Sequence, residues 1–132
     1  MKWVSKGRKK KYSIKRLGKS FVYAFKGIIS AMKTEQNLLV DFIGLAINIV
    51  LIFFLHLSSI EAAIIILSTF LVIALEIVNT SIEYAIDMAM PQIHPLAKVS
   101  KDVAAGGVLV VSIGAIIVAL IIYVPKIIIL FD

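Results

Sequence analysis

Three long apolar runs decide most of what this chain can become. Residues 38–57, 60–88 and 103–130 consist mainly of Ile, Leu, Val, Ala and Phe, and each is long enough to cross a hydrocarbon core of roughly 30 Å as a helix. Lipid offers the backbone no hydrogen-bond partners, so runs of this kind must satisfy their own amides, which a helix does. The expected fold is therefore all-α, a membrane protein with three transmembrane helices. At 132 residues and 61% hydrophobic side chains the chain has room for one such domain and no second. The absence of Cys excludes a disulfide framework, a thiol nucleophile and a thiolate metal site.

Charge is placed as unevenly as hydrophobicity. Of 14 Lys and Arg residues, 11 lie at or before Lys33 and 9 at or before Lys19. Residues 1–16, MKWVSKGRKKKYSIKR, have no periodic apolar face and are expected to form a basic arm against anionic lipid headgroups, with Trp3 and Tyr12 as interfacial anchors. That reading displaces nucleic-acid binding, because a basic tail beside membrane spans serves orientation first. No apolar core precedes Leu38, where a cleavable signal peptide would carry one, so the N-terminus is expected to be retained. Over residues 17–34, Leu17, Phe21, Phe25, Ile28 and Met32 recur at steps of three and four while Lys19, Lys26 and Lys33 point elsewhere, the pattern of an amphipathic helix lying on the membrane.

The positive-inside bias gives a multi-pass plasma-membrane topology with a cytoplasmic N-terminus, spans at 38–57, 60–88 and 103–125, and an external C-terminus. Ser58 and Ser59 then form a short external turn with Glu61 at its tip. The stretch MPQIHPLAK, in which Pro91 and Pro95 disfavour helix, ends the second span as an inner loop. Lys98 and Lys101 agree with that orientation and Lys126 dissents.

The second span is not uniformly apolar. In ALEIVNTSIEYAID, residues Glu76, Asn79, Thr80, Glu83 and Asp87 stand at relative positions 0, 3, 4, 7 and 11, which at about 100° per residue fall on one helical face. Carboxylates in a membrane helix are costly enough that they pair, line a cavity or bind an ion. The bland alternative is that Asn79 and Thr80 bond helices together and that Glu83 and Asp87 are solvated among headgroups. Two acids one heptad apart repel each other, and a divalent cation relieves that repulsion; oxygen ligands suit Mg²⁺, which shares its coordination shell with phosphates. Lys98 and Lys101 are expected in the inner loop, which runs from Pro91 to Lys101, and with Asp102 they precede Ala104, Ala105, Gly106 and Gly107, small residues that allow close approach of a ligand or helix. Lysines beside acids suited to Mg²⁺ suggest a nucleotide polyphosphate. Glu35, where the surface helix meets the first span, adds another acid.

The series Glu-x-x-Asn-Thr-x-Ile-Glu-x-x-x-Asp over residues 76–87, then His94-Pro95-Leu96-Ala97-Lys98 and Lys101-Asp102-x-Ala104-Ala105-Gly106, resembles the prokaryotic diacylglycerol kinase family, in particular its Gram-positive undecaprenol kinase branch. Ala104, Ala105 and the HPLAK stretch fit that branch. The resemblance runs from about Arg16 to Tyr123. It implies a homotrimeric helical bundle with sites shared between subunits, and transfer of the ATP γ-phosphate to undecaprenol at the cytoplasmic face, with diacylglycerol as the alternative acceptor. It further implies Glu76 as general base, Asn79 orienting the hydroxyl or Glu76, and Glu35 and Glu83 as Mg²⁺ ligands. Arg16, Tyr23, Gln92, His94, Lys101 and Asp102 would hold the nucleotide alongside them. Where many relatives carry arginines after the surface-helix glutamate, this chain has Gln36 and Leu39.

Two other classes compete: a small oligomeric proton or cation transporter, and a non-catalytic membrane subunit whose arm recruits partners. A transport path needs polar groups across the whole bilayer, whereas the ionisable residues here gather at one end. The remaining polar residues read as structural. His56 is an interfacial residue rather than a metal ligand, Asn48 bonds to a neighbouring helix, and Asp41 caps the first span or meets headgroups.

Overall fold

Helices α1 (Ile14–Thr34), α2 (Gln36–Phe54), α3 (Ser59–Ala89) and α4 (Pro95–Phe131) follow one another in a computed structural model that describes residues 13–92 and 94–131. The last three are long and apolar enough to cross a membrane, which makes the chain an integral membrane protein. Most of the basic arm, with Trp3 and Tyr12, lies outside the described residues. Arg16, expected in that arm, belongs to α1 instead: its N–H and that of Leu17 both bond to the Ser13 carbonyl as the helix starts.

A single residue, Glu35, separates α1 from α2, with extended backbone (φ −109°, ψ 109°). At the other end of α2 the chain reverses through Leu55, His56, Leu57 and Ser58. The His56 N–H bonds to the Phe53 carbonyl and the Leu57 N–H reaches back to the Ile52 carbonyl, with His56 left-handed at φ 50°. That is a Schellman C-cap with histidine where glycine is usual, so the position is fixed by backbone conformation. Ser58 then opens α3 with a capping box: its hydroxyl accepts from the Glu61 N–H and the Glu61 carboxylate accepts from the Ser58 N–H. Lys126 of α4 pairs with the same carboxylate at 3.2 Å.

The fourth helix is longer at both ends than the 103–125 span read from hydropathy. It starts at Pro95, so Lys98 and Lys101 are helical and not in a loop. Proline fits the first helical position because its missing donor is not needed there, and the His94 ring Nδ1 accepts the Leu96 N–H at 3.2 Å. The helix also continues through Pro125 to Phe131.

Helix α3 lies between α2 and α4 and also touches α1. Two small apolar clusters fix it. Ala31, Leu38 and Ile73, with Met32, Phe42, Leu45 and Ile77 around them, join α1, α2 and α3. Leu55, Ile65 and Tyr123 join α2, α3 and α4 near the 55–58 turn. As expected of a membrane amide, Asn48 bonds to neighbouring helices: its Nδ2 donates to Thr69 Oγ1 at 3.0 Å and its Oδ1 accepts from the Tyr123 hydroxyl at 2.9 Å. The many large apolar side chains left on the outside of the three spans suit contact with lipid, which exacts no penalty for exposing them.

At 31 and 37 residues, α3 and α4 measure about 46 and 55 Å, well beyond a hydrocarbon core of roughly 30 Å. The surplus carries the charged residues near the 90–94 loop into the headgroup region and the water beyond it.

Candidate active site

The polar stripe of α3 faces its neighbours unevenly. Thr80 is the most deeply placed of the five, 2% exposed, and its hydroxyl returns to the Glu76 carbonyl at 3.0 Å. Glu76, Asn79 and Glu83 are half-buried and Asp87 is exposed. Asn79 Nδ2 donates to Glu83 Oε1 at 3.2 Å, so the amide is tied one turn toward the loop rather than to Glu76. Its Oδ1 is buried with no partner among the described residues. Glu76 stands 13 residues before the end of α3 and Glu83 stands 6 before it, about 20 and 9 Å along the axis. The two carboxylates thus sit at different depths.

Other acids converge on Glu76 from outside its own helix. Glu35, Asp41 and Glu83 all lie within electrostatic reach of it. Glu35 is brought there by the α1–α2 junction, and its side chain makes no capping bond at either helix end. Asp41, read as a cap of the first span or a headgroup contact, is not a cap: it lies inside α2, half-buried, with Oδ2 lacking any partner among the described residues. It stands on the wall of a cleft of about 310 Å³ between α2, α3 and α4, together with Gly44, Asn48, Ser68, Thr69 and Ser112.

A second hollow, about 280 Å³, gathers Asp87, Gln92, His94, Lys98 and Lys101 at the 90–94 loop. Lys101 Nζ donates to Asp87 Oδ1 at 2.5 Å, and Glu83 is also within its electrostatic reach. This pair bridges α3 and α4. Asp102 is exposed on the following position of α4. The structure therefore brings Glu35, Glu76, Asn79 and Glu83 into one neighbourhood and Gln92, His94 and Lys101 into an adjoining one. Arg16 and Tyr23 stand apart: both are exposed on α1, whose described backbone comes nowhere within 8 Å, Cα to Cα, of α4 in one chain.

Chemically, the neighbourhood around Glu76 offers only oxygen atoms, from carboxylates and an unpartnered amide carbonyl, and the hollow beside it offers cations and ring or amide donors. No group of three His, Cys, Asp or Glu side chains close enough to enclose a metal occurs among the described residues. Mg²⁺ asks for less, since it commonly takes one or two carboxylates and fills its octahedron with water and phosphate oxygens.

Besides the Asp87–Lys101 pair, sequence reasoning missed a further contact in this region. The hydroxyls of Thr34 and Tyr84 are 2.6 Å apart, joining α1 to α3 across 50 positions. A tyrosine directly after Glu83 was the visible signal, but nothing local reveals its partner.

Residues 22–123 match the model of the prokaryotic diacylglycerol kinase family. The chain belongs to that family. It is accordingly an ATP-dependent lipid kinase built into a membrane. Over 115 residues it is 42% identical to the undecaprenol kinase of Bacillus subtilis, covering 86% of this chain and 92% of that one. It is also 42% identical over 101 residues to a diacylglycerol kinase of Synechocystis, covering 75% of this chain and 57% of that protein. The Escherichia coli diacylglycerol kinase is 28% identical over 102 residues, with 77% and 84% coverage.

Proposed function

We propose that this kinase transfers the γ-phosphate of ATP to the hydroxyl of undecaprenol at the cytoplasmic face of the plasma membrane, with Mg²⁺ as cofactor. The observation that carries the reading is the polar stripe of α3, whose carboxylates are graded in depth along a membrane-crossing helix and end beside Lys101. A hydroxyl on a lipid must be met inside the interface and a nucleotide must be met from water, and a graded stripe serves both. Substrate choice follows the undecaprenol kinase of Bacillus subtilis, which aligns over nearly its whole length. The Synechocystis relative, named a diacylglycerol kinase at the same identity, keeps diacylglycerol as the second acceptor.

In this scheme Glu76, the deepest acid, takes the proton of the lipid hydroxyl. The freed oxygen attacks the γ-phosphorus in line with the bond to the β,γ-bridging oxygen, that bond breaks, and ADP leaves. Lys101 moves from Asp87 to the phosphates, while Gln92, His94 and Asp102 hold the rest of the nucleotide. Glu83, held by Asn79, and Glu35 would ligate Mg²⁺, and the unpartnered Asn79 carbonyl and the all-oxygen donor set fit such an ion. When bound, the ion draws charge from the phosphate oxygens as phosphoryl transfer proceeds. The cleft lined by Asp41 and Ser112 offers the lipid tail a course into the bilayer. Arg16 and Tyr23 would complete a nucleotide site from another subunit of a homotrimer, since the described backbone of α1 stays more than 8 Å, Cα to Cα, from α4 in its own chain.

The basic arm and α1 set the orientation, with N-terminus and 90–94 loop in the cytoplasm. The test is a side-by-side assay of the purified chain in detergent, with Mg²⁺ and γ-labelled ATP, offering undecaprenol and diacylglycerol separately. Faster labelling of undecaprenol is expected. Preference for diacylglycerol would overturn the acceptor, and labelling of neither would overturn the reaction.

A further inference from the structure

The junction between α1 and α2 presents a mechanical problem. Glu35 is the one non-helical residue between two long helices, and its extended backbone is a natural pivot. If α1 swings about that pivot, the Glu35 carboxylate moves relative to Glu83. Two contacts oppose the swing on the side of α3. One is apolar and non-directional, Ala31 packed with Leu38 and Ile73. The other is the hydrogen bond between Thr34 and Tyr84 at 2.6 Å.

The second contact lies next in sequence to both acids. Thr34 immediately precedes Glu35 and Tyr84 immediately follows Glu83. Its geometry is also prepared. The Ala31 carbonyl accepts the Glu35 N–H at 2.8 Å and the Thr34 hydroxyl at 3.1 Å. Either hydroxyl can donate in that bond: with the Thr34 hydrogen directed to the Ala31 carbonyl, or to the Ser30 carbonyl at 3.4 Å, Oγ1 is left to accept from Tyr84. The Ala31 carbonyl thus meets both the backbone of Glu35 and the hydroxyl that bonds to Tyr84.

We propose that Thr34 and Tyr84 are positioning residues that set the separation of Glu35 and Glu83, and through it the affinity of the site for a divalent cation. The proposal rests on the assignment of those two carboxylates as Mg²⁺ ligands. In this scheme neither hydroxyl is a ligand of the metal or a contact of the substrate; each acts through the carboxylate beside it. A ligand pair held at the right spacing before binding avoids the cost of ordering it during binding, and carboxylates brought together from two helices need such a restraint more than two on one helix.

The test uses the full chain in detergent with a non-hydrolysable ATP analogue, and reads Mn²⁺ binding by electron paramagnetic resonance beside the Mg²⁺ dependence of lipid phosphorylation. Tyr84→Phe and Thr34→Val each remove one hydroxyl and nothing else of size. Each is expected to weaken Mn²⁺ binding and raise the Mg²⁺ concentration for half-maximal activity by about 3- to 10-fold, the range one modest hydrogen bond can supply. The double variant should be no worse than either single one, and Thr34→Ser, which keeps the hydroxyl, should stay close to the parent. Saturating Mg²⁺ should restore most of the rate. Unchanged Mn²⁺ affinity in both single variants, or effects that add in the double one, would overturn the clasp. A parent chain that phosphorylates lipid and binds Mn²⁺ while Glu35→Gln and Glu83→Gln leave that binding intact would instead overturn the ligand assignment beneath it.

Discussion

The two ends of the bundle treat their polar groups in opposite ways. Toward the 55–58 turn, several polar groups are closed into mutual bonds: Ser58 with Glu61, Glu61 with Lys126, and Asn48 with both Thr69 and Tyr123. Toward the 90–94 loop, Asp41 Oδ2 and Asn79 Oδ1 are buried without partners among the described residues, and Glu35, Asp41 and Glu83 lie within electrostatic reach of Glu76. Closed polar groups bind helices to each other. Open ones are costly to keep, and their concentration at one end marks where ligands are to be expected. A channel would show open groups along its whole length.

Substitutions at each end separate these roles. The largest effect outside the carboxylates is expected from Lys101→Met, which removes the cation proposed to meet the phosphates. It should lower kcat/KM for ATP by about 100-fold while leaving thermal stability in detergent nearly unchanged, because the ion pair it deletes is partly exposed. At the other end the signs reverse. Asn48→Leu breaks two interhelical bonds and should lower stability by about 1 to 2 kcal/mol, measured by denaturation in mixed micelles, with kcat of the folded fraction unaltered. Loss of activity there without loss of stability would break the contrast between the ends. The smallest effect belongs to Lys126→Met: with the capping box intact and the ion pair partly exposed, only a small drop in melting temperature is expected.

The sequence showed these regions to different depths. The three spans, the amphipathic surface helix and the polar stripe were legible because each is a periodic or long-range average over many residues. Asn48 was legible as an interhelical donor since an amide in lipid has few other options. The start of α4 was not, because Pro91 and Pro95 carry the same local signal. Only the His94 side chain, by capping the helix, shows that Pro95 opens a helix whereas Pro91 ends one. Asp41 misled for a related reason: an acid near the start of a span is commonly a cap, but α2 already begins at Gln36 and turns that carboxylate into the cleft. The pairs Thr34–Tyr84 and Asp87–Lys101 depend on how helices pack, which hydropathy does not encode.

Glu76 is the open group proposed to take the proton of the lipid hydroxyl. Its most direct test is single-turnover transfer from γ-labelled ATP to undecaprenol by Glu76→Gln, with nucleotide binding measured on the same sample. A change of one atom keeps the shape and removes the base, so transfer should fall by about 100-fold or more while ATP affinity and folding persist. A Glu76→Gln chain that transfers phosphate at the parental rate would contradict the assignment.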